Sequence, residues 1–343
     1  MKRIGILTGG GDAPGLNAVI RAITYKAVDD GYEVYGFKRG WAGILNLEYQ
    51  VLHKEDVEDI HRVGGTILGS SRTNVRKVEN GFARVKQNMG DLDIYALVAI
   101  GGEDTLGVAL DLYREGGNVV GVPKTIDNDV NATDYTFGFD TAINRVMECM
   151  DWLHTTAEAH HRVMVVEIMG RHAGWMALEG GLAGGAHIIL IPEVHFSVDE
   201  VCDIIRHRHA RGKKYTLVAV AEGAEDPQYM EELKRTAPRD DFGHIQLGGI
   251  GRILRKEIEK RTGFETRDVV LGHLQRGGAP SAFDRNIGTR FGLRAVDLIN
   301  EGKFGYMVAL QSSKVVGVPL EEGVGSLKTV PPERYQELQL FFG

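Results

Sequence analysis

Residues Arg3–Asp29 read RIGILTGGGDAPGLNAVIRAITYKAVD. The opening residues Arg3–Leu7 are a short apolar run of the kind that is buried in a parallel sheet, and Leu16–Asp29 has the apolar spacing of a helix. Between them stands Gly9-Gly10-Gly11-Asp12-Ala13-Pro14-Gly15. Strand, glycine-rich turn and helix in that order open a βαβ unit. Backbone N–H groups in such a turn, and at the start of the helix behind it, make a cradle for phosphate. The turn has no GK[ST] of a Walker A loop. It is no G-x-G-x-x-G fingerprint either, because Pro14 takes the last glycine position. Taken alone, a tight structural turn explains it as well.

Outward from this unit the same alternation continues. Apolar runs at Val34–Phe37, Ile94–Ile100, Val119–Val122, Val163–Ile168, His187–Ile191, Tyr215–Ala221 and Asp268–Leu271 read as buried strands with helices between them. A helix is expected to start near Asp140 as N-cap, carrying Ile143, Met147, Met150 and Leu153 at helical spacing. The fold class is therefore α/β, in two doubly wound, Rossmann-like domains with mostly parallel sheets and the active site in the cleft between them. Residues 1–138 with about 275–325 are expected to form one domain, and residues 139–274 with about 326–343 the other. The polar segment Asp127–Gly138 is the expected crossing between domains, and Ala224–Gly248, charged and holding Pro227 and Pro238, reads as a surface insertion.

Composition narrows the functional classes. A chain of 343 residues suits two domains. Hydrophobic residues at 43% and charged residues at 25% exclude a disordered or fibrous protein. No apolar stretch reaches the ~18 residues that span a bilayer. The apolar run behind Met1-Lys2-Arg3 stops at Leu7, too short for a signal peptide, so a cytoplasmic protein is expected. The 40 Lys and Arg against 47 Asp and Glu leave a net charge of -7, which offers no footprint for nucleic acid. The two cysteines, Cys149 and Cys202, read as free thiols.

Further chemistry gathers at the strand ends. Gly101-Gly102-Glu103-Asp104-Thr105 puts two adjacent carboxylates where Mg²⁺ could be held, or where Asp104 or Thr105 could cap a helix. Pro123-Lys124-Thr125-Ile126-Asp127-Asn128-Asp129 sets a lysine ahead of two aspartates, suited to a base and a metal-linked carboxylate, or to an Asx-rich turn. Met169-Gly170-Arg171, Glu222-Gly223 and Gly272-His273-Leu274-Gln275-Arg276 obey the same rule. Ligands of open α/β sheets bind beyond the carboxyl ends of the strands. Six such loops together point to magnesium-dependent phosphoryl transfer with Asp127 as base.

The motifs, in this order, resemble the phosphofructokinase family over nearly the whole chain. They are GGGDAPGLN at Gly9–Asn17, the GG-acid loop at Gly101, TIDND at Thr125–Asp129, MGRHAGW at Met169–Trp175 and GHLQRGG at Gly272–Gly278. The resemblance implies that Asp127 takes the proton from the 1-hydroxyl of fructose 6-phosphate, with Thr125 beside it. Arg171 would offset charge on the transferring phosphoryl group. Met169, Gly170, Glu222, His273 and Arg276 would hold the sugar phosphate. Arg162 and Arg267 would complete the site of a neighbouring subunit, so that a homodimer or homotetramer is implied. Gly10, Gly11 and Arg72 would face the phosphoryl donor (diphosphate or nucleotide), which the resemblance gives to the domain of residues 1–138 with about 275–325, as it gives fructose 6-phosphate to that of residues 139–274 with about 326–343. Glu103 would sit by Mg²⁺, with Asp129 as a second candidate.

Two positions depart from the ATP-using members of that family. Asp104 stands where those have glycine, and Lys124 stands where those have Pro-Gly before Thr-Ile-Asp. A carboxylate at Asp104 would repel the α-phosphate of a nucleotide, and Lys124 would add a cation for a donor that binds through phosphate alone. The pair resembles the signature of members that use pyrophosphate. At the effector site of the regulated bacterial members, Arg21, Arg211 and Lys213 match, but Tyr25, Lys54 and His154 replace arginines, so control by nucleotide diphosphate is not expected. The rival readings are an ATP-dependent phosphofructokinase, a dinucleotide or lipid kinase, and a sugar-phosphate or nucleotide sensor that kept the fold.

Overall fold

A computed structural model describes residues 2–228 and 248–343. Most of the insertion expected at Ala224–Gly248 lies outside the described residues. Two compact units divide the chain. One is Met1–Thr141 with Arg276–Leu327, the other Ala142–Gln275 with Lys328–Gly343.

The strands, numbered along the chain, begin with β1 (Arg3–Thr8), β2 (Glu33–Phe37), β3 (Tyr49–Leu52), β4 (Ile94–Gly101), β5 (Val119–Thr125) and β6 (Phe137–Gly138). They continue with β7 (Val163–Ile168), β8 (Ile188–Leu190), β9 (Thr216–Ala221), β10 (Thr266–Val270), β11 (Tyr306–Gln311) and β12 (Lys314–Pro319). In the first unit the order is β12-β11-β5-β4-β1-β2-β3, with β6 paired to β5. In the second it is β10-β7-β9-β8, and every pair is parallel.

Parallel strands need crossover connections, and the helices that supply them cover both faces of the first sheet. Successive side chains of a strand point to opposite faces. Thus Ile4, Ile6, Ala96, Val98, Ile100, Val120 and Val122 face one core, packed on Val19, Ile20 and Ile23 of the helix Leu16–Asp29 and on Phe291 and Ala295 of the helix Ala282–Asn300. Leu7, Leu97, Ala99 and Val119 face the other core, against Val85 and Met89 of the helix Gly81–Asp91 and Leu106, Ala109 and Leu112 of the helix Glu103–Arg114. Each large side chain so buried contributes about 1.5–3 kcal/mol. The helices Leu16–Asp29 and Ala282–Asn300 approach closely at Gly292, where a Cβ would stand 2.7 Å from the Val19 carbonyl oxygen.

Two differences from the sequence reading stand out. Asp140 is not the N-cap of its helix, which spans Phe139–His160 and contains it. Asp284, far along the chain, accepts the Thr141 N–H of the first turn and the Gly138 N–H just before it. Strands β3 and β12 pair antiparallel with β2 and β11 at the two sheet edges, outside the strands expected above. Their half-exposed pattern gives a weak apolar signal, although β11 itself is a plain apolar run. His209 stacks on Phe264, with ring centroids 3.7 Å apart. Among the described residues no helix is long and apolar enough to cross a membrane.

Candidate functional site

Register explains why the loops of the first unit gather. Thr8 pairs with Ile100, and Gly101 pairs with Pro123, so β1, β4 and β5 end side by side. The chain leaves β1 toward one face and β4 toward the other, because the helices that follow belong to different cores. That is a topological switch point, where doubly wound sheets bind their ligands.

The glycine loop lies in this crevice. Gly10 has φ 79°, a conformation that glycine adopts without steric cost. Its N–H donates to the Ser71 carbonyl at 3.0 Å, and the Ser70 hydroxyl donates to its carbonyl at 2.5 Å. A Cβ at Gly9 would lie 2.5 Å from Thr105 Oγ1, and one at Gly101 within 2.3 Å of the Thr105 Cβ. Thr105 therefore fills the gap between the two loops and is buried. The helix Glu103–Arg114 is capped by Gly102, with Glu103 and Asp104 both in its first turn and no side-chain cap. Capping thus does not account for Asp104 or Thr105. Glu103, Asp104 and Gly107 line a cavity of about 330 Å³ that Arg76 and Asp111 also border, and the last two form an ion pair at 2.6 Å. Arg72 is exposed on the loop that carries Ser70 and Ser71.

Lys124 is 3% exposed and donates to the carbonyl of Gly11. A Cβ at Gly10 would lie 3.6 Å from its Nζ. Burial, with Arg276 nearby, pulls its ammonium from 10.5 down to about 7, against the opposing pull of Asp127, Asp12 and Asp129. Arg276 Nη1 donates to the Asp12 carbonyl at 3.0 Å and lies 2.7 Å from where a Gly11 Cβ would stand. Lys124 and Arg276 thus meet at the glycine loop, with Asp127, Asp12 and Asp129 near enough to act on Lys124.

Thr125 turns the chain by accepting the Asp127 N–H on its hydroxyl at 3.1 Å. Asp127 itself is 4% exposed, and its Oδ1 is buried without a hydrogen-bond partner. A buried carboxylate oxygen left unpaired costs free energy, which marks a place for an incoming group. Asn128 follows at φ 53°, its Oδ1 accepting the Thr136 N–H at 3.1 Å.

In the second unit the pairs Ile168 with Ala221 and Val270 with Glu167 align the ends of β7, β9 and β10. Arg171 adopts φ 51°, and its N–H donates to Glu222 Oε1 at 3.0 Å. Gly170 admits no side chain, since a Cβ would stand 2.5 Å from the Ala173 carbonyl oxygen. The Met169 N–H donates to Gln275 Oε1 at 3.3 Å, and His273 is exposed beside it in sequence. Arg162 and Arg267 meet at one carboxylate, Glu265, at 2.7 and 2.5 Å. The first of these contacts, aided by the second, lowers the Glu265 pKa.

Some contributors carried no role in the sequence reading. Asp12 sits inside GGGDAPGLN and Gln275 inside GHLQRGG, so their motifs were in view. Ser70 and Ser71 stand beside Arg72 without a motif of their own; only their contact with the glycine loop reveals them.

A buried lysine over a glycine loop and an unpaired buried carboxylate on the same doubly wound sheet suit a phosphotransferase. The chain belongs to the phosphofructokinase family, whose model matches residues 3–299. It is 57% identical over 342 residues, 99% of this chain and 100% of the other, to the pyrophosphate--fructose 6-phosphate 1-phosphotransferase of Amycolatopsis mediterranei. It is 49% identical over 343 residues to the ATP-dependent 6-phosphofructokinase of Corynebacterium efficiens, covering 99% of each chain. A crystal structure of the phosphofructokinase of Pichia pastoris superposes with a TM-score of 0.83 at 35% identity, over 94% of this chain and 35% of that one.

Proposed function

We propose that the protein transfers a phosphoryl group from pyrophosphate to the 1-hydroxyl of fructose 6-phosphate. The products are fructose 1,6-bisphosphate and phosphate, the reaction is reversible, and it serves glycolysis and gluconeogenesis in the cytoplasm. The observation that carries this reading is the buried Lys124 ammonium over the glycine loop, beside the unpaired Oδ1 of Asp127. The relatives at 54–57% identity that are named for pyrophosphate support the same donor.

Asp127 accepts the proton of the 1-hydroxyl as that oxygen attacks the near phosphorus of pyrophosphate. The bond to the bridging oxygen breaks, and phosphate leaves. Gly10 and Gly11 let the donor approach the loop closely, Lys124 and Arg72 hold it as cations, and Arg171 offsets charge on the group in flight. Met169, Gly170, Glu222, His273, Arg267 and Arg162 hold the sugar phosphate. Arg276 is also assigned to it, although its contact with Asp12 suits the donor equally.

Mg²⁺ supplies neutralisation of the donor's phosphate charge. Glu103 would hold it, with Asp129, which is close enough to act on Lys124, as the second candidate. No group of three or more His, Cys, Asp or Glu among the described residues could by itself hold a metal ion. That suits an ion that takes one or two carboxylates and completes its shell with phosphate and water.

A nucleotide donor would carry its α-phosphate toward the Asp104 carboxylate, which would repel it. The enzyme works as a homodimer or homotetramer in which Arg162 and Arg267 complete a neighbouring site. Initial rates with fructose 6-phosphate and Mg²⁺, measured with pyrophosphate and ATP side by side, test the reading. Activity with ATP alone would keep the family and overturn the donor.

A further inference from the structure

Asp284 lies outside every motif that carries the chemistry, yet it is fully buried in the first unit. Its Oδ1 accepts the Gly138 N–H at 2.8 Å. Its Oδ2 accepts the Thr141 N–H at 2.8 Å and the Thr141 hydroxyl at 2.5 Å. A carboxylate that accepts three donors in a dry site is held in one orientation, and it holds its donors in turn. The grip is reciprocal. The Ser281 N–H donates to Thr141 Oγ1 at 2.9 Å, and the Ser281 hydroxyl donates to Asp140 Oδ2 at 2.5 Å. The N-terminus of the helix Ala282–Asn300 and that of the helix Phe139–His160 are thus tied together through side chains.

What that knot touches is the base. Gly138 belongs to β6, the two-residue strand paired to the end of β5, with Phe137 opposite Lys124 and Gly138 opposite Thr125. The Thr136 hydroxyl donates to the Thr125 carbonyl at 2.8 Å, and the Thr136 N–H is taken by Asn128. A two-residue strand has too few ladder bonds to fix itself, so the clamp from Asp284 decides where it lies. The donor loop meets the same point. A Cβ at Gly138 would stand 2.7 Å from Ala13, and one at Gly15 would stand 2.9 Å from Phe137 and 3.3 Å from the Asp284 carbonyl oxygen. Small displacements of β6 are therefore felt by both the base segment Lys124–Asp127 and the glycine loop.

We infer that Asp284 is a positioning residue of the reaction. Through Gly138 and Thr141 it sets the base segment against the donor loop, and its loss lowers turnover rather than affinity for the sugar phosphate. This rests on the function proposed above. A misplacement of about 1 Å between reacting groups costs up to ~100-fold in rate. Asp284→Asn keeps the shape but turns an amide NH2 toward a donor, and should lower kcat at least tenfold with KM for fructose 6-phosphate changed less than twofold. Ser281→Ala, which leaves the bonds to Gly138 and to the Thr141 N–H in place, should lower the melting temperature with kcat kept. Amide hydrogen exchange should show protection lost over residues 125–138 in Asp284→Asn.

Wild-type kcat in folded Asp284→Asn overturns the inference, as does an equal loss of kcat in Ser281→Ala. If Asp284→Asn does not fold, Thr141→Val decides by the same split, with a smaller fall in kcat expected and an unchanged kcat refuting it. A wild-type protein inactive with both pyrophosphate and ATP would sink the proposed function instead. Unchanged exchange over 125–138 would sink the clamp alone.

Discussion

Lys124 should give the donor affinity a pH dependence that the wild-type enzyme shows and a neutral substitution removes. Burial is the largest cause of its low pKa, about 7 against 10.5 in the unfolded chain. The free enzyme at pH 7 therefore carries this cation on about half of its molecules, and at pH 9 on roughly one in a hundred. On the proposal that pyrophosphate binding uses this cation, kcat/KM for pyrophosphate should fall about 50-fold from pH 7 to pH 9. In Lys124→Gln the absolute value is far lower and this slope is gone.

The same shift has a stability consequence with a definite sign. Between about pH 7 and 10.5 the unfolded chain binds the proton and the folded chain does not. Stability therefore rises with pH across that window, and the gap between the two pKa values corresponds to roughly 5 kcal/mol. Lys124→Met should accordingly melt higher than wild type at pH 7 while losing use of pyrophosphate. The assay is kcat/KM for pyrophosphate at saturating fructose 6-phosphate and Mg²⁺ from pH 6 to 9, in wild type and Lys124→Gln. Parallel profiles for the two proteins would refute the assignment of a titrating Lys124 to donor binding.

Other substitutions test other parts. Asp127→Asn should lower kcat by 10² to 10⁴, the range for loss of a general base, with little change in either KM; turnover within tenfold of wild type would remove Asp127 from the role. Asp104→Gly should admit some ATP, read as a rise in the ATP-to-pyrophosphate rate ratio, and no change in that ratio would count against the repulsion argument. Glu167 in the second unit is buried and accepts the Gly249 and Gly251 N–H groups at 2.8–3.1 Å at the start of the helix Ile250–Thr262. Glu167→Gln faces those donors with an NH2 group and should cost about 1–3 kcal/mol, visible as a lower urea midpoint; an unshifted midpoint would show that the cap adds nothing.

Much of this protein is local in the chain and so is legible without coordinates. The run Arg3–Leu7, the glycine turn and the helix Leu16–Asp29 are specified by neighbours within thirty residues, and the helix has those bounds in the structure. The α/β class and the family follow from such units and from the order of the motifs. Asp127 and Lys124 could likewise be picked out, because residue type and position after an apolar strand limit what a side chain can do.

Tertiary structure decided what depends on pairing between distant segments. Which strands neighbour β1, and hence where the switch point falls, follows from the register of β4 and β2 and from the two cores on opposite faces. Asp140 looked like a helix cap because its residue type allows it, but the helix already contains it, and the N–H groups of Gly138 and Thr141 on either side go to a buried carboxylate, Asp284, from far along the chain. Arg276 reads as part of GHLQRGG, yet it meets Asp12 across 264 residues of chain. Contacts of that span leave no periodic trace in the sequence. They are selected by burial and by the demand that buried polar groups find partners, and both are properties of the folded chain.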